Sequence, residues 1–274
     1  KSFEGILKIK KFELIGKDVS KSLSPEIHKF IAENTGSLIE YEKVSVPETG
    51  FENNIKKLFS EYDGLNVTIP FKISVINHLN KIEGDAKIFG AVNTVRTGDK
   101  SGYNTDGLGF MLMLKNNGID VRGKTVLVLG AGGAGRSVAK KLSDVGADVS
   151  VYDKNFEKAK TLKNEFCKIR AVESIDLKSY YAIINASGVG MHATEGVSPV
   201  NEDLLSLCSV AIDLIYEPEK SEFLKIAEKC GKKAVNGKAM LFYQAYYAQR
   251  IFLNKSADER EAKKLFAKYT EGSK

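Results

Sequence analysis

The sequence predicts an α/β protein of two domains, and three observations carry that prediction. Strand-like and helix-like stretches alternate from end to end, as they do where helices cover largely parallel sheets. Residues 125–129, Thr-Val-Leu-Val-Leu, form a continuous apolar run, which a strand covered on both faces requires. The chain has 274 residues, long for one domain and comfortable for two.

Element by element, residues 12–16, 41–46 and 65–69 read as strands in the first third, and 25–34 and 51–60 carry apolar residues at helical spacing between them. Residues 91–104 predict a hairpin, because 91–95 runs into the turn-rich Thr97, Gly98, Asp99 and Lys100 before 101–104. A helix from about 107 to 117 stops at Asn117 and Gly118. After the 125–129 strand, residues 148–152, 181–185, 210–214 and 233–236 predict four more strands, most of them separated by helices. Helices over 239–253 and 258–268 close the chain. With no internal repeat, low-complexity tract or long linker, the domain boundary belongs inside or beside helix 107–117. The division expected is 1–106, 107–239 and 240–274.

Composition excludes several classes of function. The formal charge of +6 comes from 41 basic and 35 acidic residues spread along the chain, without the basic clustering that nucleic acid binding needs. A mild positive excess raises the local concentration of anionic small molecules. Cys167, Cys208 and Cys230 lack CxxC spacing, and His28, His78 and His192 supply no plausible zinc cluster, so no metal is expected and a reducing cytoplasm fits. No signal-peptide pattern opens the chain, and no apolar run approaches the ~20 residues of a membrane span.

The most informative segment is Asn66, Val67, Thr68, Ile69, Pro70, Phe71 and Lys72. Leu65, Val67 and Ile69 alternate with Asn66 and Thr68, so a period of two sends the amide and the hydroxyl to one face. Pro70 cannot donate to a ladder and ends the strand, which leaves Lys72 just beyond its carboxyl end, where open α/β sheets place their ligands. A solvated edge strand with a surface lysine is the alternative.

Gly130, Ala131, Gly132, Gly133, Ala134 and Gly135 follow the 125–129 strand and open a helix running to about residue 145, with G-x-G-x-x-G spacing. The first glycine makes the tight turn, the second lets backbone approach a pyrophosphate, and the third permits close packing of helix on strand. Asp153 ends the next strand 23 positions after Gly130. A carboxylate there accepts hydrogen bonds from a ribose 2′-hydroxyl and repels a 2′-phosphate, favouring NAD, whereas Lys154, Arg136 and Lys158 could neutralise that phosphate.

With both segments in view, the chain resembles the shikimate dehydrogenase family. The likeness runs in order through Ser22, Ser24, Pro25 and His28, residues 66–72, Gly90 with Asn93 and Thr94, Asn104 with Thr105, Asp106 and Gly107, and the 130–135 loop. It continues through Asn185, Ala186, Ser187, Gly190, Met191, Asp213, Tyr216, Pro218, Asn236, Gly237, Met240, Leu241, Gln244 and Ala245.

The resemblance implies an N-terminal α/β substrate domain, a Rossmann-like dinucleotide-binding domain, a final helical segment returning to the first domain, and a cleft between the two. It implies reversible reduction of 3-dehydroshikimate to shikimate with NADP, in the route to aromatic amino acids, by a monomer or homodimer. Carried over by position, Ser22, Ser24, Asn66, Thr68, Asn93, Tyr216 and Gln244 would hold substrate. Lys72 and Asp106 would be the catalytic pair, and Gly130 to Gly135, Asp153, Lys154, Leu214, Gly237 and Met240 would line the cofactor.

Several of these residues also fit purely structural roles. Ser24 before Pro25 suits a helix N-cap, and so does Asp106 before Gly107. Asn93 could serve a turn, and His28 a packed interior. Gln244 shares a helical stripe with Met240, Tyr247 and Ile251, where a buried amide needs partners. Two departures stand out from the family pattern: Lys29 where many relatives have asparagine, and Asp153-Lys154-Asn155 where NADP-using members carry Asn-Arg-Thr or Asn-Arg-Ser. The rival expectations are a catabolic quinate/shikimate dehydrogenase and a non-catalytic dinucleotide-sensing protein on the same fold.

Overall fold

The computed structural model describes residues 9–272. The chain divides into two compact units, Lys1–Gly109 with Phe242–Lys274, and Phe110–Leu241.

The first unit is built on β1 (Lys10–Gly16), β2 (Ile39–Ser45), β3 (Gly64–Val67), β4 (Lys81–Ile82), β5 (Thr94–Arg96) and β6 (Ser101–Tyr103), in the order β2-β1-β3-β5-β6-β4. β1, β2 and β3 are parallel, whereas β5 runs antiparallel to both β3 and β6. Side-chain alternation divides the faces. Ile15, Leu65, Val67 and Val95 pack with Val46 and with Phe51, Ile55 and Leu58 of helix α2 (Phe51–Glu61). On the other face Phe12 and Tyr41 pack with Phe252 of helix α9 (Lys238–Phe252), the Phe12 and Phe252 rings stacking at 4.6 Å. Gly64 permits that approach, since a Cβ there would stand 2.5 Å from the Phe252 ring. Helix α1 (Ser24–Asn34) is tied to α9 by Gln249 Nε2 donating to the His28 carbonyl at 2.8 Å, and α10 (Glu259–Glu271) by Tyr269 donating to Glu26 at 2.7 Å.

The second unit carries β7 (Thr125–Leu129), β8 (Asp148–Tyr152), β9 (Ile169–Val172), β10 (Tyr180–Asn185), β11 (Cys208–Asp213) and β12 (Lys233–Val235). They lie in the order β12-β11-β10-β7-β8-β9, all parallel, which is the doubly wound arrangement that binds dinucleotides where the strand order reverses. That reversal falls between β7 and β10. Their interior runs, Val126 to Leu129 and Ala182 to Ile184, are buried, as strands covered on both faces must be.

The two-domain α/β class is borne out, and several elements are corrected. The strand expected over 65–69 stops at Val67, and Ile69 is 70% exposed instead of alternating into the core. Pro70 has no N–H to continue the ladder, and the Phe71 N–H turns back to the Thr68 carbonyl at 2.9 Å. The hairpin strand expected over 91–95 begins only at Thr94. Strands β4 and β9 had no forecast: one spans two residues, and the other is an edge strand whose burial does not alternate. Among the described residues no helix is long and apolar enough to cross a membrane.

Candidate active site

Lys72 lies in the turn after β3, and its carbonyl accepts from the Val92 N–H at 2.7 Å, which anchors the backbone that carries the ammonium. Its Nζ stands 2.5 Å from Asp106 Oδ2 at the first residue of helix α4 (Asp106–Asn116), with only 16% and 10% of the two side chains exposed. The other carboxylate oxygen, Oδ1, accepts from Asn93 Nδ2 at 2.8 Å. Both oxygens of Asp106 are thus engaged by side chains. A partly buried ion pair of this kind holds only with supplementary hydrogen bonds, and Asn93 provides one.

Asn93 is itself fixed. Its Oδ1 accepts from the Thr105 N–H at 2.9 Å and from Thr94 Oγ1 at 2.8 Å, while its carbonyl accepts from Asn66 Nδ2 at 3.0 Å. The Asn66 amide also donates to Thr94 Oγ1 at 3.3 Å and accepts from the Tyr41 hydroxyl at 2.7 Å. Asn104 Oδ1 accepts from the Asp106 N–H at 3.0 Å, and Asn104 Nδ2 donates to the Ala91 carbonyl at 3.0 Å. An almost entirely buried polar layer therefore joins β3, the approach to β5 and the start of α4 around one cation.

The remaining first-unit candidates lie beside this layer or feed into it. Ser22 Oγ donates to Ser24 Oγ at 3.1 Å, and the first helical residue of α1 is Ser24 itself, preceded by a Leu23 cap with no side-chain bond. The capping role considered for Ser24 is not the one it plays. The Thr68 N–H donates to the Ile15 carbonyl at 2.9 Å, and its methyl faces Gly16. Thr105 Oγ1 donates to Gln244 Oε1 at 3.4 Å, so α9 reaches the layer. The deeply buried amide of α9 is Gln249 and not Gln244. Lys29 is exposed, whereas His28 is fully buried.

In the second unit the glycine loop has the geometry its spacing predicts. Gly130 has φ +104°, and a Cβ there would meet the Ala186 carbonyl oxygen at 2.7 Å. A Cβ on Gly135 would stand 2.0 Å from the Gly130 carbonyl oxygen. At Gly132 an added Cβ would meet nothing within 4 Å, which leaves the backbone open at the N-terminus of the 12-residue helix α5 (Gly133–Asp144). A pyrophosphate would fit that open cradle. Asp153 Oδ2 accepts from the Ala131 N–H at 2.8 Å and Oδ1 from the Asn155 N–H at 2.9 Å, so the carboxylate straps the loop to the end of β8. Lys154 beside it is exposed, and Arg136 pairs with Glu165 and lies 5.1 Å over the Phe166 ring.

Leu214 and Gly237 pack backbone to backbone, a Cβ on Gly237 falling 2.1 Å from the Leu214 carbonyl oxygen. Met240 is buried and Tyr216 half-buried in the turn after β11. That turn is held by Asp213, which accepts from Ser221 Oγ, from Asn185 Nδ2 at 3.0 Å and from the Ile215 N–H at 3.0 Å. Burial pushes the Asp213 carboxyl upward and these three donors pull it back. Sequence reasoning missed Tyr41, the functions of Asn104 and Thr105, and Asp213 as the centre of a network. Tyr41 alternates on β2 like any strand residue and gives no local signal.

Known proteins share this construction. Residues 14–95 match the shikimate dehydrogenase substrate binding domain and residues 112–204 match shikimate / quinate 5-dehydrogenase. The shikimate dehydrogenase (NADP(+)) of Caldanaerobacter subterraneus subsp. tengcongensis is 38% identical over 264 residues, covering 91% of this chain and 94% of that protein. The chain belongs to the shikimate dehydrogenase family. As a shikimate dehydrogenase family member it is an oxidoreductase. The chorismate mutase/shikimate 5-dehydrogenase fusion protein from Clostridium acetobutylicum superposes with a TM-score of 0.88 at 36% identity, over 97% of this chain and 99% of that one. The Thermus thermophilus shikimate 5-dehydrogenase solved with NADP(H) and shikimate gives 0.85 at 34% identity, over 94% and 98%.

Proposed function

We propose that this chain catalyses the reversible reduction of 3-dehydroshikimate to shikimate, with Lys72 as proton donor and acceptor and Asp106 as the residue that orients it. The observation that carries the proposal is the 2.5 Å contact between Lys72 Nζ and Asp106 Oδ2, inside a layer whose other members are neutral. A bound nicotinamide supplies the hydride in one direction and receives it in the other. As negative charge grows on the substrate carbonyl oxygen, the Lys72 ammonium hydrogen-bonds it and then delivers a proton. Asp106, held by Asn93, keeps the ammonium aimed and accepts a hydrogen bond from the reacting hydroxyl. In the oxidative direction the proton of the reacting hydroxyl passes to the Lys72 amine as the hydride leaves.

Ser22 and Ser24 would bind the substrate carboxylate through hydroxyl donors, and Asn66, Thr68, Asn93, Tyr216 and Gln244 its ring hydroxyls. NADP is the coenzyme we favour, because the relatives that match over nearly the full chain are named for it. Asp153, the residue that favoured NAD, has both carboxylate oxygens bound to loop N–H groups, and the exposed Lys154 and Lys158 would meet a 2′-phosphate. The three free cysteines suit a reducing cytoplasm. A dinucleotide sensor has no use for a proton donor held by a carboxylate, which speaks against that rival.

Lys72→Ala should lose about 10²–10⁴-fold in kcat, roughly 3–5 kcal/mol, while melting normally and binding dinucleotide normally. A variant that turns over at the wild-type rate would remove Lys72 from the mechanism. Comparing kcat/KM for shikimate and quinate with NADP and NAD separates the biosynthetic from the catabolic enzyme and identifies the coenzyme.

A further inference from the structure

One tyrosine outside every motif touches a residue assigned to substrate. Tyr41 lies on β2, and its side chain reaches across β1, in register with Phe12, to donate from its hydroxyl to Asn66 Oδ1 on β3 at 2.7 Å. We propose that Tyr41 is a positioning residue for substrate recognition, whose hydroxyl, carried on a ring stacked against His28, fixes the amide of Asn66. The inference rests on the substrate role proposed above for Asn66.

The two ends of an amide side chain are nearly the same size, so only hydrogen-bond partners decide which end faces a ligand. Asn66 is 5% exposed. Its NH₂ end is taken up by the Asn93 carbonyl and Thr94 Oγ1, leaving the Tyr41 hydroxyl as the donor to its carbonyl end. Without that donor the buried carbonyl loses its partner, and the side chain, held only at its NH₂ end, is less firmly oriented. A substrate hydroxyl would then meet a less well placed amide.

The ring carrying the hydroxyl must also be fixed, and His28 does this by shape. The two rings stack with centroids 4.2 Å apart and planes within 14°. Burial pushes the imidazole down to about 3, so the platform is neutral and carries no charge to disturb the pocket. Gln249 of α9 holds the His28 carbonyl, so the platform is pinned from behind. Burial also raises the phenol well above its usual range, which keeps it a donor at any working pH.

Tyr41→Phe removes one oxygen and leaves the stack. Expected are a roughly tenfold higher KM for shikimate, kcat within about twofold, unchanged dinucleotide affinity and a melting temperature lower by only a few degrees; tenfold is about 1.4 kcal/mol, the scale of one hydrogen bond. Because Tyr41 acts through Asn66, the Tyr41→Phe/Asn66→Ala double variant should have the KM of Asn66→Ala alone. An unchanged KM in Tyr41→Phe beside a raised KM in Asn66→Ala would overturn the inference, as would KM increases that multiply in the double variant. An unchanged KM in Asn66→Ala would instead overturn the substrate role of Asn66 itself.

Discussion

Asp106 in the first unit and Asp213 in the second are both buried carboxylates at the carboxyl side of a sheet, and their neighbours differ in one respect. Asp106 meets a cation, Lys72, and one amide. Asp213, with no exposed surface, meets only neutral donors: the Ser221 hydroxyl, the Asn185 amide and the Ile215 N–H. Fixed dipoles solvate a charge and hold a turn in place, but they offer no proton to a reacting atom. An adjacent ammonium does offer one. Burial of a titratable group therefore does not by itself nominate it for chemistry; the kind of partner does.

Removing each carboxylate should separate these two jobs. Asp213→Ala deprives three buried donors of their acceptor and releases the Asn185 amide that organises the Ser187 turn, at a cost of about 4 kcal/mol. A thermal scan should show a melting temperature lower by on the order of 10 °C, with turnover per folded molecule within a few-fold of wild type. Lost turnover with unchanged melting would break the comparison, because Asp213 would then be acting in the reaction.

A third carboxyl sharpens it. Glu13 on β1 is 5% exposed and sits in register with Glu42 on β2, which accepts from the Tyr62 hydroxyl at 2.7 Å. Burial first, then the charge of Glu42, pushes Glu13 up to about 7. A carboxyl raised on folding stabilises the native state fully below its unfolded value of about 4.5, and that contribution is lost as pH climbs through about 7. The loss is up to about 3 kcal/mol. Melting temperature should thus fall between pH 5 and 8, and Glu13→Gln should flatten that slope. An unaltered slope in the variant would show that Glu13 is not the group responsible.

Much of the second unit was legible because its signals are local. A continuous apolar strand, a G-x-G-x-x-G turn and a helix follow one another within about twenty residues, and each step has a backbone reason that Gly130 and Gly135 make visible. The first unit's site was legible only in part. Lys72 and Asn66 could be placed from one heptamer, but the pairing of Lys72 with Asp106 depends on antiparallel strands bringing together residues 34 positions apart. Tyr41 meets Asn66 across an intervening strand, a relation no periodicity encodes. Ile69 misled because alternation continued in the sequence after the ladder had ended. Asp153 has a spacing that suits a ribose, while one of its oxygens accepts from the Ala131 N–H of the loop and the other from the Asn155 N–H of the turn after β8, contacts that spacing alone does not show.

The claim on which the mechanism depends is that Lys72 and Asp106 act as one unit on one oxygen. A double-mutant cycle on kcat for shikimate oxidation, using Lys72→Ala, Asp106→Asn and the pair together, tests it most directly. If they act as a unit, the double variant is no slower than the slower single variant, because the second substitution has nothing left to remove. Losses that multiply, each substitution costing its full factor in the background of the other, would mean that the two side chains work independently and would contradict the account.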